Sequence, residues 1–253
     1  MRFASLGSGS RGNATLVEQG KTCVLVDCGF TLIELERRLA RLKKSADDLT
    51  AILVTHEHAD HVSGVGLLAR KYALPVWMTP GTWSAPRFGA LPKLQFFSSH
   101  DSFALDELEI HPFPVPHDAR EPSQFVFSNG TQRLGLLTDT GCCTPYIEQM
   151  LSACDALLIE CNHDSAMLAG GSYSPALKQR VGGTLGHLSN AQAAQLLTRL
   201  DRSRLQHLIA MHLSEKNNAP ALARLALCTA LDCEPDWIGI ADQQNGLAWR
   251  ALL

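Results

Sequence analysis

Thr55-His56-Glu57-His58-Ala59-Asp60-His61 packs three imidazoles and two carboxylates into seven residues, directly after the apolar run Ala51-Ile52-Leu53-Val54. A short β-like run that ends this way reads as a buried strand with ligands gathered at its end. Neutral imidazole nitrogens and a carboxylate oxygen suit Zn²⁺, Fe or Mn²⁺. One histidine would carry little weight. Four donors at the spacing H-x-H-x-D-H define a metal site.

The rest of the composition narrows what that site serves. At 253 residues the chain can bury a sizeable core, and its 45% hydrophobic and 19% charged content is that of an ordinary globular protein. A net charge of -3 advertises no global field for nucleic acid, so any such contact needs a local patch. No apolar run approaches the length of a membrane span, and Met1-Arg2-Phe3-Ala4-Ser5 does not open a signal peptide. Cys23, Cys28, Cys154, Cys161 and Cys228 lie inside apolar segments and no C-x-x-C pair occurs, which favours reduced thiols and a cytoplasmic location.

Strand and helix alternate through residues 20–80. Cys23-Val24-Leu25-Val26 ends at Asp27, leucines at helical spacing follow from Leu32 to Leu42, and a further helix is expected over Val62–Tyr72. This alternation indicates an α/β fold. The middle of the chain is richer in strands, with an Asn129-Gly130 hairpin turn. Several strands end in polar punctuation. Pro114-Val115-Pro116 leads to His117, Leu134 to Thr138 leads to Asp139, Ala156 to Ile159 leads to Glu160, and Leu208 to Met211 leads to His212. Residues 170–183 read as a Gly-rich polar connection, Ser189 or Asn190 as the cap of a helix to Leu200, and residues 220–231 as the last helix. No linker or low-complexity stretch interrupts the chain, so residues 1–253 are expected to form a single domain.

The ordered set Asp27, His56-x-His58-x-Asp60-His61, His117, Asp139 and His212 is similar to the five-motif signature of the metallo-β-lactamase superfamily, over nearly the whole chain. The resemblance implies a four-layer αβ/βα sandwich, two mixed sheets with outer helices and two divalent metal ions at one edge. It implies that His56, His58 and His117 hold one metal and Asp60, His61 and His212 the other. Asp139 would bridge them, with Asp27 orienting ligands from behind. Ser5-Leu6-Gly7-Ser8-Gly9-Ser10-Arg11-Gly12-Asn13, Val115-Pro116-His117-Asp118-Ala119, Gly186-His187-Leu188-Ser189-Asn190 and His212-Leu213-Ser214 further resemble the YycJ/WalJ-like group. That group is associated with exonuclease action on DNA from 5′ ends. His163 and Gln124 depart from it, at positions where relatives tend to carry Tyr and Gly.

Such a centre would use a metal-bridging hydroxide as nucleophile, with Asp60 and Asp139 accepting its proton or holding it in line. His187, in a glycine-flanked loop, is the candidate to bond the scissile phosphate or protonate the leaving oxygen, and Ser189 the candidate for a further phosphate contact. Zn²⁺ and Mn²⁺ are the expected ions, with Fe also compatible. Cys142-Cys143 read as structural, because Asp139 already fills the bridging position. A thioester hydrolase resembling glyoxalase II would keep the same ligands but add a helical substrate domain after His212, for which little chain remains. A non-catalytic metal-bound scaffold or signalling protein would be expected to have lost a ligand, and none is missing here.

Overall fold

The computed structural model describes residues 1–253. Strands β1 (Arg2–Gly7), β2 (Ala14–Gln19) and β3 (Thr22–Val26) form an antiparallel meander. Parallel strands β4 (Ala51–Leu53), β5 (Pro75–Met78) and β6 (Lys93–Phe96) extend it. The second sheet begins antiparallel, through β7 (Phe103–Leu105), β8 (Leu108–Pro114), β9 (Ser123–Ser128) and β10 (Arg133–Leu137). It ends parallel, through β11 (Ala156–Glu160), β12 (His207–Met211) and β13 (Gly239–Ile240). Strand β14 (Leu247–Ala251) crosses back to pair antiparallel with β1, so each sheet has seven strands.

Both faces of these sheets are covered, which is why the central strands are apolar without alternation. Neighbouring residues on one strand serve different layers. Val24 and Val26 face the other sheet, where Phe125, Leu136, Leu158 and Ile209 meet them, whereas Leu25 packs outward with Leu35 and Leu39. On the second sheet Leu158 points inward while Leu157 and Ile159 pack with Leu151, Leu196 and Leu227. The outer layers are helices. On the first sheet they are α1 (Leu32–Arg41), α2 (Ala59–Val62), α3 (Val65–Tyr72) and α4 (Ala85–Phe88). In the second half they are α5 (Pro145–Leu151), α6 (Ser165–Gly170), α7 (Pro175–Val181), α8 (Asn190–Arg199) and α9 (Pro220–Leu231). Two mixed sheets face to face with helices outside is the α/β sandwich expected.

Two segments differ from the sequence reading. The helix expected over 62–72 is split at Ser63-Gly64, with its first turn beginning at Ala59. Gly64 lies so close to the preceding segment that a Cβ there would stand 2.1 Å from the Phe30 carbonyl oxygen, and its N–H donates to Cys28 O. The connection read as Gly-rich holds α6 and α7, capped by Asp164 and Ser174. Helix α7 buries none of its residues, so no core-facing stripe marks it in the sequence.

Candidate metal centre

Because β3 and β4 are parallel neighbours, as are β10, β11 and β12, their C-terminal ends collect at the same edge. The residue that leaves the strand is a polar one each time: Asp27 after β3, Asp139 just beyond β10, His212 after β12. All three adopt left-handed backbone, with φ of 61°, 52° and 52°. Asp and His are among the few non-glycine residues that tolerate this region.

The loop after β4 brings His56, His58 and His117 together, with ring centroids 4.6 to 5.0 Å apart. Their donor atoms form one compact group, and those of Asp60, His61 and His212 form a second. Asp139 stands between: its Oδ2 lies 3.2 Å from His61 Nε2 and 3.4 Å from His212 Nδ1, and its Oδ1 lies 3.9 Å from His117 Nε2. His56 Nε2, His212 Nδ1 and Asp139 Oδ2 are buried without any hydrogen-bond partner. Each such orphan costs about 1–3 kcal/mol if left alone. Three of them in one cluster of imidazole and carboxylate donors fit the coordination needs of divalent cations.

The second layer of contacts fixes which ring atom faces inward. Asp27 accepts from His61 Nδ1 at 2.8 Å, from the Thr55 hydroxyl at 2.8 Å and from the Thr55 N–H at 2.9 Å. Thr55 Oγ1 also meets His56 Nδ1 at 2.9 Å, and the Gly186 carbonyl meets His117 Nδ1 at 3.0 Å. In each case the opposite nitrogen faces the donor cluster. Burial, reinforced by neighbouring imidazoles, pushes the His56 pKa well down, and burial lowers that of His117, which favours the neutral rings that a metal ligand needs. Burial also opposes charge on His61 and Asp139. It is outweighed there: Asp139, Asp60 and Asp27 raise the His61 pKa, while His212 and His61 hold Asp139 well below the usual carboxylate range. Gln124 braces the same edge, its buried amide donating to Thr138 O at 2.7 Å one residue before Asp139.

His187 reaches the cluster from the loop before α8, its ring centroid 5.3 Å from those of both His117 and His212. It is held by Glu160, which in the sequence reads only as the end of a strand. Glu160 is fully buried, and its Oε1 accepts from His187 Nδ1 at 2.7 Å while Oε2 accepts from the N–H groups of Thr140 and Leu188. Burial disfavours the imidazolium, yet Glu160, followed by Asp139 and Asp60, raises the His187 pKa to about 9. An uncompensated acid closing an apolar strand was the available signal. Asn13, also unremarked, ties the Ser/Gly loop to the site: its amide lies 3.1 Å from His61 Nε2, and Ser8 Oγ accepts from His212 N.

The Ser189 hydroxyl donates to Gln192 Oε1 and accepts from Gln192 N, forming a capping box for α8, so a phosphate contact would have to compete with that bond. His163 is buried and bridges to Ser189 through the backbone. Burial pushes the Cys143 thiol up to about 12, in keeping with a packing role. The ligand edge opens on a cavity of about 390 Å³ lined by His58, Asp60, Asp139, His187 and His212.

Two sheets that present histidines and aspartates at a shared edge define a metal-dependent hydrolase of one well-populated class. Residues 22–213 match the Beta-lactamase superfamily domain, and the chain belongs to that superfamily. Within it the chain falls in the YycJ/WalJ-like group. It is 36% identical over 236 residues to Exodeoxyribonuclease YycJ of Bacillus anthracis, covering 92% of this chain and 89% of the relative. Identity to Exodeoxyribonuclease WalJ of Streptococcus pneumoniae is also 36%, over 91% and 88%. Among solved structures, the metallo-beta-lactamase fold protein YhfI from Bacillus subtilis shares the fold, with a TM-score of 0.76 over 99% of both chains at 16% identity.

Proposed function

We propose that this chain is a dinuclear-metal-dependent phosphodiester hydrolase that shortens DNA from its 5′ end. The observation that carries the reading is the buried Glu160 holding His187 beside the ligand cluster. Hydrolysis of a phosphodiester expels a poorly stabilised sugar oxygen, which needs a proton as it leaves. A thiolate leaving group needs none, so the pair favours phosphodiesters over thioesters. The names of the YycJ and WalJ relatives support DNA as the polymer.

His56, His58 and His117 would hold one ion, and Asp60, His61 and His212 the other, with Asp139 shared. Zn²⁺ or Mn²⁺ suits these donors best, with Fe also compatible. Ions bound there supply charge that acidifies water and offsets the negative phosphoryl oxygens. The chain's own residues do the rest. Asp60, a quarter exposed, takes the proton of the attacking water or holds that water in line, together with Asp139. Asp27 and Thr55 keep the His61 and His56 rings turned for binding. His187, with Nδ1 committed to Glu160, gives the proton on its other nitrogen to the leaving oxygen. The eight cysteines are all free, and no helix is long and apolar enough to cross a membrane. Free thiols fit a cytoplasmic enzyme, and residues 1–253 are read as a single domain.

The test is digestion of 5′-labelled duplex DNA by protein loaded with Mn²⁺ or Zn²⁺. Labelled mononucleotides should appear first. His61→Ala and His187→Ala should each slow release by about 100-fold or more. Digestion by both variants at the wild-type rate would reject the reading.

A further inference from the structure

Helix α7 has an apolar face that the core does not use. None of its residues is buried, yet Leu177 and Val181, four apart and therefore on one side, line the cavity that holds the ligand edge, together with Tyr173, which lies just before the helix cap Ser174. Apolar side chains left facing a polar cavity mark a surface made for a ligand's own apolar face. Two arginines flank this wall. Arg180 projects from α7 with its Nε 2.6 Å from Asp118 Oδ2, and Asp118 follows His117 directly. Arg87, exposed on α4, lines the cavity without a salt bridge of its own. Lys216 places its ammonium 5.7 Å from the centre of the Tyr173 ring.

We propose that Tyr173, Leu177 and Val181 form a stacking platform for the base of the terminal nucleotide, with Arg87 and Arg180 taking the phosphates on either side of it. The inference rests on the phosphodiesterase reading and deepens it. An aromatic ring accepts any base, because every base offers a π face, and guanidinium groups suit phosphate oxygens. The cavity, at about 390 Å³, lies near the low end of the range that holds one small ligand. That is room for one nucleotide, and a 5′-terminal base seated on this platform would have left its partner, as in enzymes that extrude a base into a pocket.

The test measures binding of metal-loaded protein to single-stranded 12-mers by fluorescence anisotropy. The first linkages are phosphorothioates, which slow cleavage, and the 5′-terminal nucleotide is either intact or abasic. Wild type should bind the intact strand about tenfold more tightly. Tyr173→Ala should erase that preference and Tyr173→Phe should keep it. Arg180→Ala should weaken both strands alike and reduce the salt slope by about one. Equal binding of the two strands by wild type, or a preference that survives in Tyr173→Ala, would overturn the platform. The two readings fail separately. Tyr173-dependent base preference without DNA digestion leaves the platform standing and removes the nuclease; digestion with indifference to the terminal base does the reverse.

Discussion

Glu160 holds His187 by a 2.7 Å hydrogen bond from Nδ1, and both oxygens of the buried carboxylate are used in the process. If the pair serves to protonate the leaving group, its worth depends on how poor that leaving group is. Glu160→Gln should lower kcat on DNA by about 100-fold with KM little changed, and lower it far less on bis-p-nitrophenyl phosphate, whose phenolate departs without help. Steady-state kinetics on the two substrates check this. Equal losses on both would assign Glu160 to the architecture alone.

Removing the ions should loosen the whole molecule. The ligands come from β4 on one sheet and from β8, β10 and β12 ends on the other, so an ion bound to all of them joins the two sheets. Binding at 100 times Kd adds about 2.7 kcal/mol. For a chain of this size that is roughly 5–10 °C in Tm. Calorimetry after chelation, and again after Zn²⁺ or Mn²⁺ is restored, should show the fall and the recovery. An unchanged Tm would argue against the assigned ligands.

Gly29 is the tightest point of the support behind the site. A Cβ there would lie 1.8 Å from the Asp60 carbonyl oxygen and 2.8 Å from Asn13 N, both backbone atoms. Gly29→Ala should therefore push Asp60 and His61 out of place, costing about 1–3 kcal/mol in urea unfolding and at least about tenfold in metal affinity. Gly170→Ala, where nothing lies within 4 Å, should be neutral.

The buried thiols set an alkaline limit. Burial pushes Cys23 and Cys28 up to about 12 and Cys154 up to about 11. An unfolded chain releases these protons near pH 9. Above that pH the unfolded state binds fewer protons than the native one, so stability is intact below pH 9 and falls as pH climbs toward 11–12. The slope is up to about 1.4 kcal/mol per pH unit for each thiol. Urea midpoints at pH 8, 9 and 10.5 should decline slightly across the first interval and steeply across the second, and less steeply in Cys23→Ala.

The candidate ligands stood out because several follow an apolar run that reads as a buried strand, as Asp139 follows Leu134-Gly135-Leu136-Leu137, and the family resemblance joined them into one set. His187 stood out by its glycine-flanked loop. Ser189 was legible as a cap, but its bond to Gln192 was not, since nothing local shows where a hydroxyl donates. Glu160 was visible as an acid at a strand end, but its partner lies 27 residues away. Helices α6 and α7 escaped notice because they are short and bury little. Strand pairing was the least legible. With both faces covered, period-two alternation is lost, and nothing near residues 238–251 shows that β13 joins one sheet and β14 the other.

The left-handed backbone at Asp27, Asp139 and His212 restricts what this centre can become. Two independent filters act on those positions. The side chain must serve the ions or their ligands, and the residue must accept a positive φ. Asp, Asn and His pass the second filter readily; Glu and Cys pass it poorly. A thiolate at 139 would soften the site for other metals but would also cost backbone strain of order 1–3 kcal/mol. Metal preference here is thus tied to the handedness of three strand ends, and a change of ion through these positions requires a change of turn.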